Sequence, residues 1–94
     1  MSKAADIAMV KNIAAEFGPF NIRANAIAPG LIKTDMAKAL WENPKILESV
    51  TSTNPLRRIG EPVEIAGIAV LLASRAGGYI NGETIVVDGG STVV

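Results

Sequence analysis

IRANAIAPGLIKTD, residues 22–35, is a run of small and apolar residues that meets Pro29-Gly30 and restarts with a hydroxyl and a carboxylate. Proline has no N–H to give to a neighbouring strand, so Pro29 ends any ladder that the preceding residues form. The few polar groups of Ile22–Ala28 lie between apolar ones, and a strand this poor in charge is typical of a parallel sheet buried on both faces. We therefore predict a parallel strand over Ile22–Ala28 and a loop after it.

Helices are predicted on both sides of this strand, and glycine or proline residues indicate where they begin and end. Upstream, Ser2–Phe17 carries apolar residues at helical spacing, and the Gly-Pro pair that follows is a common helix stop. Downstream, residues 35–52 have a helical pattern that breaks at Pro44, because the residue before a proline is pushed out of the helical region. Two short helices joined at a hinge are predicted there. Pro62 suits the first turn of a third helix, VEIAGIAVLLAS, which is apolar nearly all round and is predicted to be buried on more than one side.

The chain closes with a glycine-rich turn, RAGGYING, and a second strand within ETIVVDGG, leaving a short apolar tail over Ser91–Val94. The order is therefore helix, strand, paired short helices, helix, strand. Strands that alternate with helices predict parallel crossover units of an α/β sheet. Because two strands are too few for such a sheet, we predict that residues 1–94 form part of a larger α/β domain.

Composition narrows the possible functions. The chain has 9 basic and 9 acidic residues, no Cys and no His, which argues against nucleic-acid binding, thiolate zinc sites and hydrolytic triads. It is 49% hydrophobic over 94 residues, although a chain of this length buries only about 60 to 65% of its surface. Some apolar surface is therefore expected to meet another chain or segment. The longest apolar run is too short to span a bilayer, so we predict a soluble, cytoplasmic protein.

The loop after the first strand is the candidate binding site. In open α/β sheets, ligands bind beyond the carboxyl ends of the strands. Pro29 fixes the turn, Gly30 lets the backbone approach a flat ring, and the peptide groups beyond them are free to pair with a carboxamide. The hydroxyl of Thr34 suits either a hydrogen bond to an amide or phosphate, or a cap on the helix that begins near Asp35. An ordinary strand end followed by a turn remains an open interpretation of the spacing alone.

Three other features could have a function but are also explained by an ordinary structural role. Lys3 stands in the first turn of a helix, where its charge opposes the helix dipole, yet a solvated surface lysine has the same pattern. The VDGG segment suits an ordinary strand end. Trp41 and Phe20 are interpreted as packing residues, since the chain is only 4% aromatic.

Taken together, four segments resemble the C-terminal part of a short-chain dehydrogenase/reductase, a family of single-domain Rossmann oxidoreductases. They occur in the family's order over essentially the whole chain: SKAA, NIRANAIAPGLIKTDM, PLRRIGEPVEIAGIAVLLAS and YINGETIVVDGG. The resemblance implies an α/β fold that is the C-terminal part of a Rossmann domain, and an enzyme that binds NAD or NADP.

The resemblance also implies roles for individual residues. Lys3 matches the lysine of the Tyr-x-x-x-Lys signature, which hydrogen-bonds the nicotinamide ribose and lowers the pKa of the tyrosine. Pro29, Gly30, Ile32 and Thr34 match the loop that receives the nicotinamide carboxamide, with backbone groups of Ile32 and the Thr34 hydroxyl as contacts. The paired helices of residues 36–52 match a mobile lid over a small alcohol or carbonyl substrate.

Other parts of the family pattern are missing. The tyrosine would fall two places before Met1, and Tyr79 cannot replace it because Tyr79 precedes the last strand. The glycine-rich phosphate loop, the residue that selects NAD or NADP, and the catalytic serine are also absent, so we expect the chain alone to be inactive. The alternative function is a non-catalytic module that oligomerises through the late helix and final strand, a surface that commonly joins identical subunits in this family.

Overall fold

The computed structural model describes residues 3–93, and the side chains of residues 4–92. The two strands pair as a two-stranded parallel sheet. The N–H of Ala26 donates to the Glu83 carbonyl and that of Gly30 to the Val87 carbonyl, so the register is constant. The predicted α/β order is confirmed. Its elements are α1 (Lys3–Phe17), β1 (Ala26–Pro29), α2 (Lys38–Trp41), α3 (Pro44–Thr53), α4 (Pro62–Ala73) and β2 (Thr84–Val87), with 3-10 turns at Gly18–Phe20, Arg75–Gly77 and Ser91–Val93.

Helix α1 begins and ends close to its predicted bounds. Asp6 lies in its first turn, where a carboxylate is favourable, and the helix ends where Gly18–Phe20 tightens into a 3-10 turn. Asn21 then takes a left-handed conformation with φ 60°, and its N–H donates to the Gly18 carbonyl. The predicted first residue, Ser2, lies outside the described residues. Ala14, on the predicted apolar face, is 5% exposed and is the one buried apolar side chain of residues 4–92.

Strand β1 is shorter than predicted and starts at Ala26 rather than Ile22. The reason is that the residues just before it pair largely through asparagine side chains, although the Ala24 carbonyl still accepts from the Gly82 N–H. The Ala24 N–H donates to Asn81 Oδ1 at 3.0 Å, and the Asn25 side chain bonds the backbone on either side of Asn81. Pro29 is included as the exposed last residue of the strand. The prediction over Ile22–Ala28 was wrong at its start because asparagine amides replace the ladder there.

The break between α2 and α3 lies where Pro44 predicts it. Asn43 is extended, and its Oδ1 accepts hydrogen bonds from the N–H groups of Lys45 and Ile46 at 3.0 and 3.3 Å, which caps α3. The pair of helices runs from Lys38 to Thr53, whereas the predicted range was residues 36–52.

Helix α4 is not buried on more than one side within this chain. None of its residues is buried, and Val63 and Val70 are 73% and 68% exposed. Strand β1 is likewise only half-buried. Both predictions assumed neighbours on every side, and residues 3–93 do not supply them. No helix among these residues is long and apolar enough to cross a membrane.

The chain divides into two compact units. One comprises the residues up to Ile27 together with Gly67–Ile85, and contains α1, Ala14 and the buried Gly77. The other comprises Ala28–Ala66 together with the residues from Val86 on, and contains α2, α3 and the loop after β1. The candidate binding loop therefore lies in the second unit.

Candidate functional site

The post-β1 loop, residues 30–37, is held by a short parallel bridge to Gly60. The Gly60 N–H donates to the Leu31 carbonyl and the Lys33 N–H donates to the Gly60 carbonyl, both at 2.9 Å. A Cβ on Gly60 would lie 2.6 Å from Ile32 Cδ1, so a larger residue at position 60 would displace the Ile32 side chain. The peptide groups on both sides of Ile32 are thus fixed by the chain itself.

Ile32 keeps one free backbone donor. Its carbonyl accepts from the Thr34 N–H at 2.8 Å, but its own N–H has no hydrogen-bond partner among residues 3–93. An unpaired N–H in a fixed, half-buried loop is well suited to an incoming acceptor such as a carboxamide oxygen. This donor is one of the groups predicted to contact the nicotinamide that the fold leaves open.

Thr34 caps the turn before α2. Its Oγ1 accepts from the Ala37 N–H at 3.2 Å, which is the capping alternative raised by the sequence. A hydroxyl that accepts one bond still has its hydrogen to donate, and no acceptor for it occurs in the part of the chain that the structure describes. The cap and a donated bond to an amide or phosphate are therefore compatible.

Trp41 ties α2 back to the same loop. Its indole N–H donates to the Thr34 carbonyl at 2.8 Å, and Lys33 Nζ lies 5.3 Å from the centre of its ring, within the range of a cation–π interaction. The sequence alone predicted a packing role for Trp41. A tryptophan that donates to a backbone carbonyl leaves no spacing pattern, so this contact was not predictable from the sequence.

Position 30 must be a glycine because the backbone just after β2 packs directly against it. A Cβ there would lie 2.9 Å from both Cα and Cβ of Asp88, while the Gly30 N–H donates to the Val87 carbonyl at 2.9 Å. The close approach that the sequence analysis assigned to a ligand ring is made in this structure by Asp88. The absence of a side chain at position 30 therefore has a cause within the chain.

Asn54 joins the end of α3 to the VDGG segment. It is 5% exposed, and its Nδ2 donates to the Asp88 carbonyl and to Ser91 Oγ, both at 2.8 Å. Its Oδ1 accepts from the Leu56 N–H at 2.9 Å. Gly89 has φ +65°, and a Cβ there would lie 2.6 Å from Asn54 Oδ1. VDGG is thus more than a strand end, because Gly89 makes room for a buried asparagine that anchors the end of α3.

The Asp88 carboxylate stabilises the turn that follows β2. Burial opposes its ionisation, but the N–H groups of Gly90 and Thr92 donate to it at 2.9 and 3.0 Å. These hydrogen bonds outweigh burial and hold the pKa of Asp88 below its ordinary value.

An ion pair fixes the loop before α4. Both terminal nitrogens of Arg58 donate to the Glu64 carboxylate, at 2.7 and 2.9 Å, and the Glu61 N–H donates to Glu64 Oε1 at 2.9 Å. The hydrogen bonds from Arg58, followed by that from Glu61, lower the pKa of Glu64 to about 2. Glu64 therefore caps α4 and holds Arg58 in one orientation.

The second unit, residues 28–66 with those from 86 on, contains a cavity of about 530 Å³. It is bounded by the post-β1 loop, by the end of α3, by the Arg58–Glu64 pair and by the turn after β2.

Lys3 is the first described residue of α1, but its side chain lies outside what the structure describes. The nicotinamide contacts assigned to Lys3, Pro29, Gly30, Ile32 and Thr34 stay predictions.

Comparison with known proteins identifies the family. A family model described as "Enoyl-(Acyl carrier protein) reductase" matches residues 1–92. Dehydrogenase/reductase SDR family member 4 from Bos taurus is 47% identical over 91 residues, which cover 97% of this chain and 33% of that protein. The chain thus spans about a third of the length of the curated relatives it matches.

Solved structures agree with this assignment. A 4-hydroxyisoleucine dehydrogenase complexed with NADH superposes with a TM-score of 0.93 at 35% identity, over 98% of this chain and 38% of that one. A gluconate 5-dehydrogenase from Burkholderia cenocepacia, in complex with NADP and tartrate, gives 0.90 at 34% identity, over 98% and 36%. This chain belongs to the short-chain dehydrogenase/reductase family and corresponds to the C-terminal part of its Rossmann-type fold.

Proposed function

We propose that these residues supply the nicotinamide-binding loop, the catalytic lysine and the substrate lid of an NAD(P)-dependent oxidoreductase. The observation that carries the proposal is the unpaired N–H of Ile32, in a loop whose neighbouring peptides are fixed by Gly60. A bound nicotinamide cofactor supplies hydride exchange with a small alcohol or carbonyl compound. The chain's own groups bind and orient its carboxamide, through the Ile32 backbone and the Thr34 hydroxyl.

Lys3 has the second role in this proposal. By the family's Tyr-x-x-x-Lys signature, its ammonium group bonds the cofactor ribose and favours the ionised form of the neighbouring phenol. The tyrosine is not among these 94 residues, and neither is the glycine-rich phosphate loop. Because members of a catalytic unit act together, the chain alone has no nicotinamide-dependent turnover. NAD and NADP both fit the proposal, since relatives of known structure carry NADH or NADP.

The lid moves under a constraint. Asn54 anchors its C-terminal end with three side-chain hydrogen bonds in a buried site, whereas Trp41 holds its start with one hydrogen bond at a half-buried site. Opening therefore begins at α2, where fewer bonds are lost, and pivots on Asn54. This motion admits a small alcohol or carbonyl substrate and then excludes water from it.

A chimera tests the proposal. The part of the Bos taurus relative that precedes its match to this chain is joined in frame before Met1, and oxidation of NADH and NADPH is followed with a panel of small carbonyls. The intact relative is the positive control and the chimera with Lys3→Met the negative one. Turnover that depends on Lys3 is expected. A folded chimera that binds neither cofactor contradicts the proposal.

A matched pair of threonine variants tests the loop in that chimera. Thr34→Val removes the hydroxyl proposed to meet the cofactor and is expected to weaken cofactor binding by about twofold to twelvefold. Thr53→Val makes the same change at an exposed hydroxyl that bonds only its own helix, and should leave binding unchanged. Equal cofactor dissociation constants in both variants contradict the role given to Thr34.

The second candidate function is a non-catalytic module that pairs with a like chain or a longer relative through α4 and β2. The exposure of Val63 and Val70 on α4 favours it. The two functions share this surface, so a homo-oligomer is expected in both. An active chimera supports the enzyme, whereas an inactive chimera that still assembles with this chain supports the module.

A further inference from the structure

Two asparagine side chains lock the backbone before β1 to the backbone before β2. Asn25 Nδ2 donates to the Ile80 carbonyl at 2.9 Å, and its Oδ1 accepts from the Glu83 N–H at 3.0 Å. In return, Asn81 Oδ1 accepts from the Ala24 N–H at 3.0 Å. We call this reciprocal arrangement the asparagine clasp. All of its residues lie in one compact unit.

Asn81 is followed by Gly82, and every group that could react between them is occupied. Asn81 Nδ2 donates to the Ala14 carbonyl at 3.2 Å, at the one buried apolar residue of the described side chains. The Gly82 N–H donates to the Ala24 carbonyl at 2.8 Å. The side-chain amide is thus held at both ends, and the next backbone nitrogen is engaged.

We propose that Asn81 is a deamidation site whose reaction is gated by opening of the asparagine clasp. A base removes the proton of the Gly82 N–H, and that nitrogen attacks Asn81 Cγ. The new N–Cγ bond forms, the Cγ–Nδ2 bond breaks, and the amide nitrogen leaves as ammonia after protonation. Water then opens the cyclic imide at either carbonyl, which gives aspartate or isoaspartate. Water is the only co-reactant, and no atom is oxidised or reduced.

The local residues favour this chemistry once the clasp opens. Glycine after asparagine places no side chain near the attacking nitrogen, and the Gly82 backbone tolerates conformations that other residues avoid. In the closed clasp, the Gly82 proton is bonded to Ala24 and the Asn81 side chain cannot rotate toward the nitrogen. The clasp opens readily, because Asn81 and Glu83 are exposed to solvent.

The reaction would remove the link from position 81 to α1. Aspartate at position 81 has no N–H for the Ala14 carbonyl and places a negative charge beside that oxygen. The carboxylate also lies near the C-terminal end of α1, where the helix dipole is unfavourable to it. Isoaspartate adds a methylene to the backbone of the turn. Either product detaches the loop before β2 from α1.

The test measures deamidation in the full chain at neutral and mildly alkaline pH. Peptide mapping by mass spectrometry follows the conversion of Asn81 from amide to acid, in buffer and in urea. We expect the reaction to be at least about tenfold faster in urea. Equal rates in the two conditions, or no conversion of Asn81 in urea, overturn the proposal.

Variants separate the clasp from general stability. Asn25→Ala removes two hydrogen bonds and should speed deamidation of the otherwise native chain by about fivefold or more. Asn12→Ala is the matched control on exposed α1 surface and should leave the rate unchanged. Amide exchange at Gly82, measured in the same samples, should rise in parallel with deamidation. Faster deamidation without faster exchange at Gly82, or no acceleration by Asn25→Ala, overturns the gate.

Discussion

Two valines on α4 should control the association of this chain. Val63 and Val70 are seven residues apart, which places them on one helix face, and they are 73% and 68% exposed. Gly67 lies between them, and a Cβ there would meet nothing within 4 Å. A strip of valines around an open glycine lets a second helix approach closely. We expect the double variant Val63→Lys/Val70→Lys to weaken or abolish self-association.

The size of the effect follows from the exposed area. Full burial of a valine side chain is worth about 1.5 to 3 kcal/mol, so covering the exposed part of each is worth about 1 to 2 kcal/mol. In a symmetric pair both copies contribute, which gives about 4 to 8 kcal/mol before the costs of association. If half of this survives, the dissociation constant still rises by roughly thirtyfold or more. Lysine is a better helix former than valine, which offsets the unfavourable positive charge at position 63 in the first turn, so α4 itself should persist.

Sedimentation velocity at micromolar concentration measures the effect, with circular dichroism to check the helix. Met36→Lys is the matched control, because Met36 is 97% exposed and lies outside α4. The native chain and Met36→Lys should associate, while the double variant should sediment as a monomer. If Met36→Lys weakens self-association as much as the double variant does, association depends on exposed apolar surface in general. If the double variant associates like the native chain, the α4 interface is refuted.

Three further predictions concern the second unit. Hydrogen bonds from Arg58 lower the pKa of Glu64 from 4.5 to about 2, so the stability that they give is complete above pH 4.5 and is lost as the pH falls toward 2. The urea midpoint should fall over this pH range, and Glu64→Gln should make the midpoint less dependent on pH. Arg57 has a left-handed backbone with φ 58°, so the strain relieved in Arg57→Gly should offset the lost hydrogen bond to the Ser52 carbonyl and leave the urea midpoint nearly unchanged, whereas Arg58→Gly should lower the midpoint. Trp41→Phe keeps an aromatic ring, although a smaller one, and removes the N–H that donates to the Thr34 carbonyl, so amide exchange in the post-β1 loop should accelerate. Unchanged exchange argues against this contact.

Features set by a single residue's backbone chemistry were predictable from the sequence. Pro44 marks the break between α2 and α3, and Pro62 marks the start of α4, because proline restricts its own φ and the residue before it. The end of α1 just before Gly18 follows from the same reasoning. These signals act over one or two residues, so the order of helices and strands could be stated without any knowledge of what packs against them.

Features that join distant segments were not predictable. Asn25 shortens β1 by bonding backbone groups more than fifty residues away, and nothing around it in the sequence distinguishes it from an ordinary strand residue. Asn54 similarly meets Asp88 and Ser91, from which it is separated by α4 and β2. An amide side chain has two donors and an acceptor, so it can substitute for strand pairing wherever the fold brings backbone to it. Its position in the sequence carries no trace of that partner.

Gly30 shows how one pattern can have two physical causes. A glycine after a strand-ending proline is consistent with a ligand ring that needs space, and equally with a neighbouring segment that needs it. Here Asp88 takes up that space at 2.9 Å, so Gly30→Val would destabilise the chain even in a protein that never binds a cofactor. A loss of binding in that variant therefore carries no information about the ligand. Thr34 and the Ile32 N–H are better probes, because the hydroxyl hydrogen of one and the amide of the other have no partner within residues 3–93. Any hydrogen-bond partner found for them must come from outside these residues.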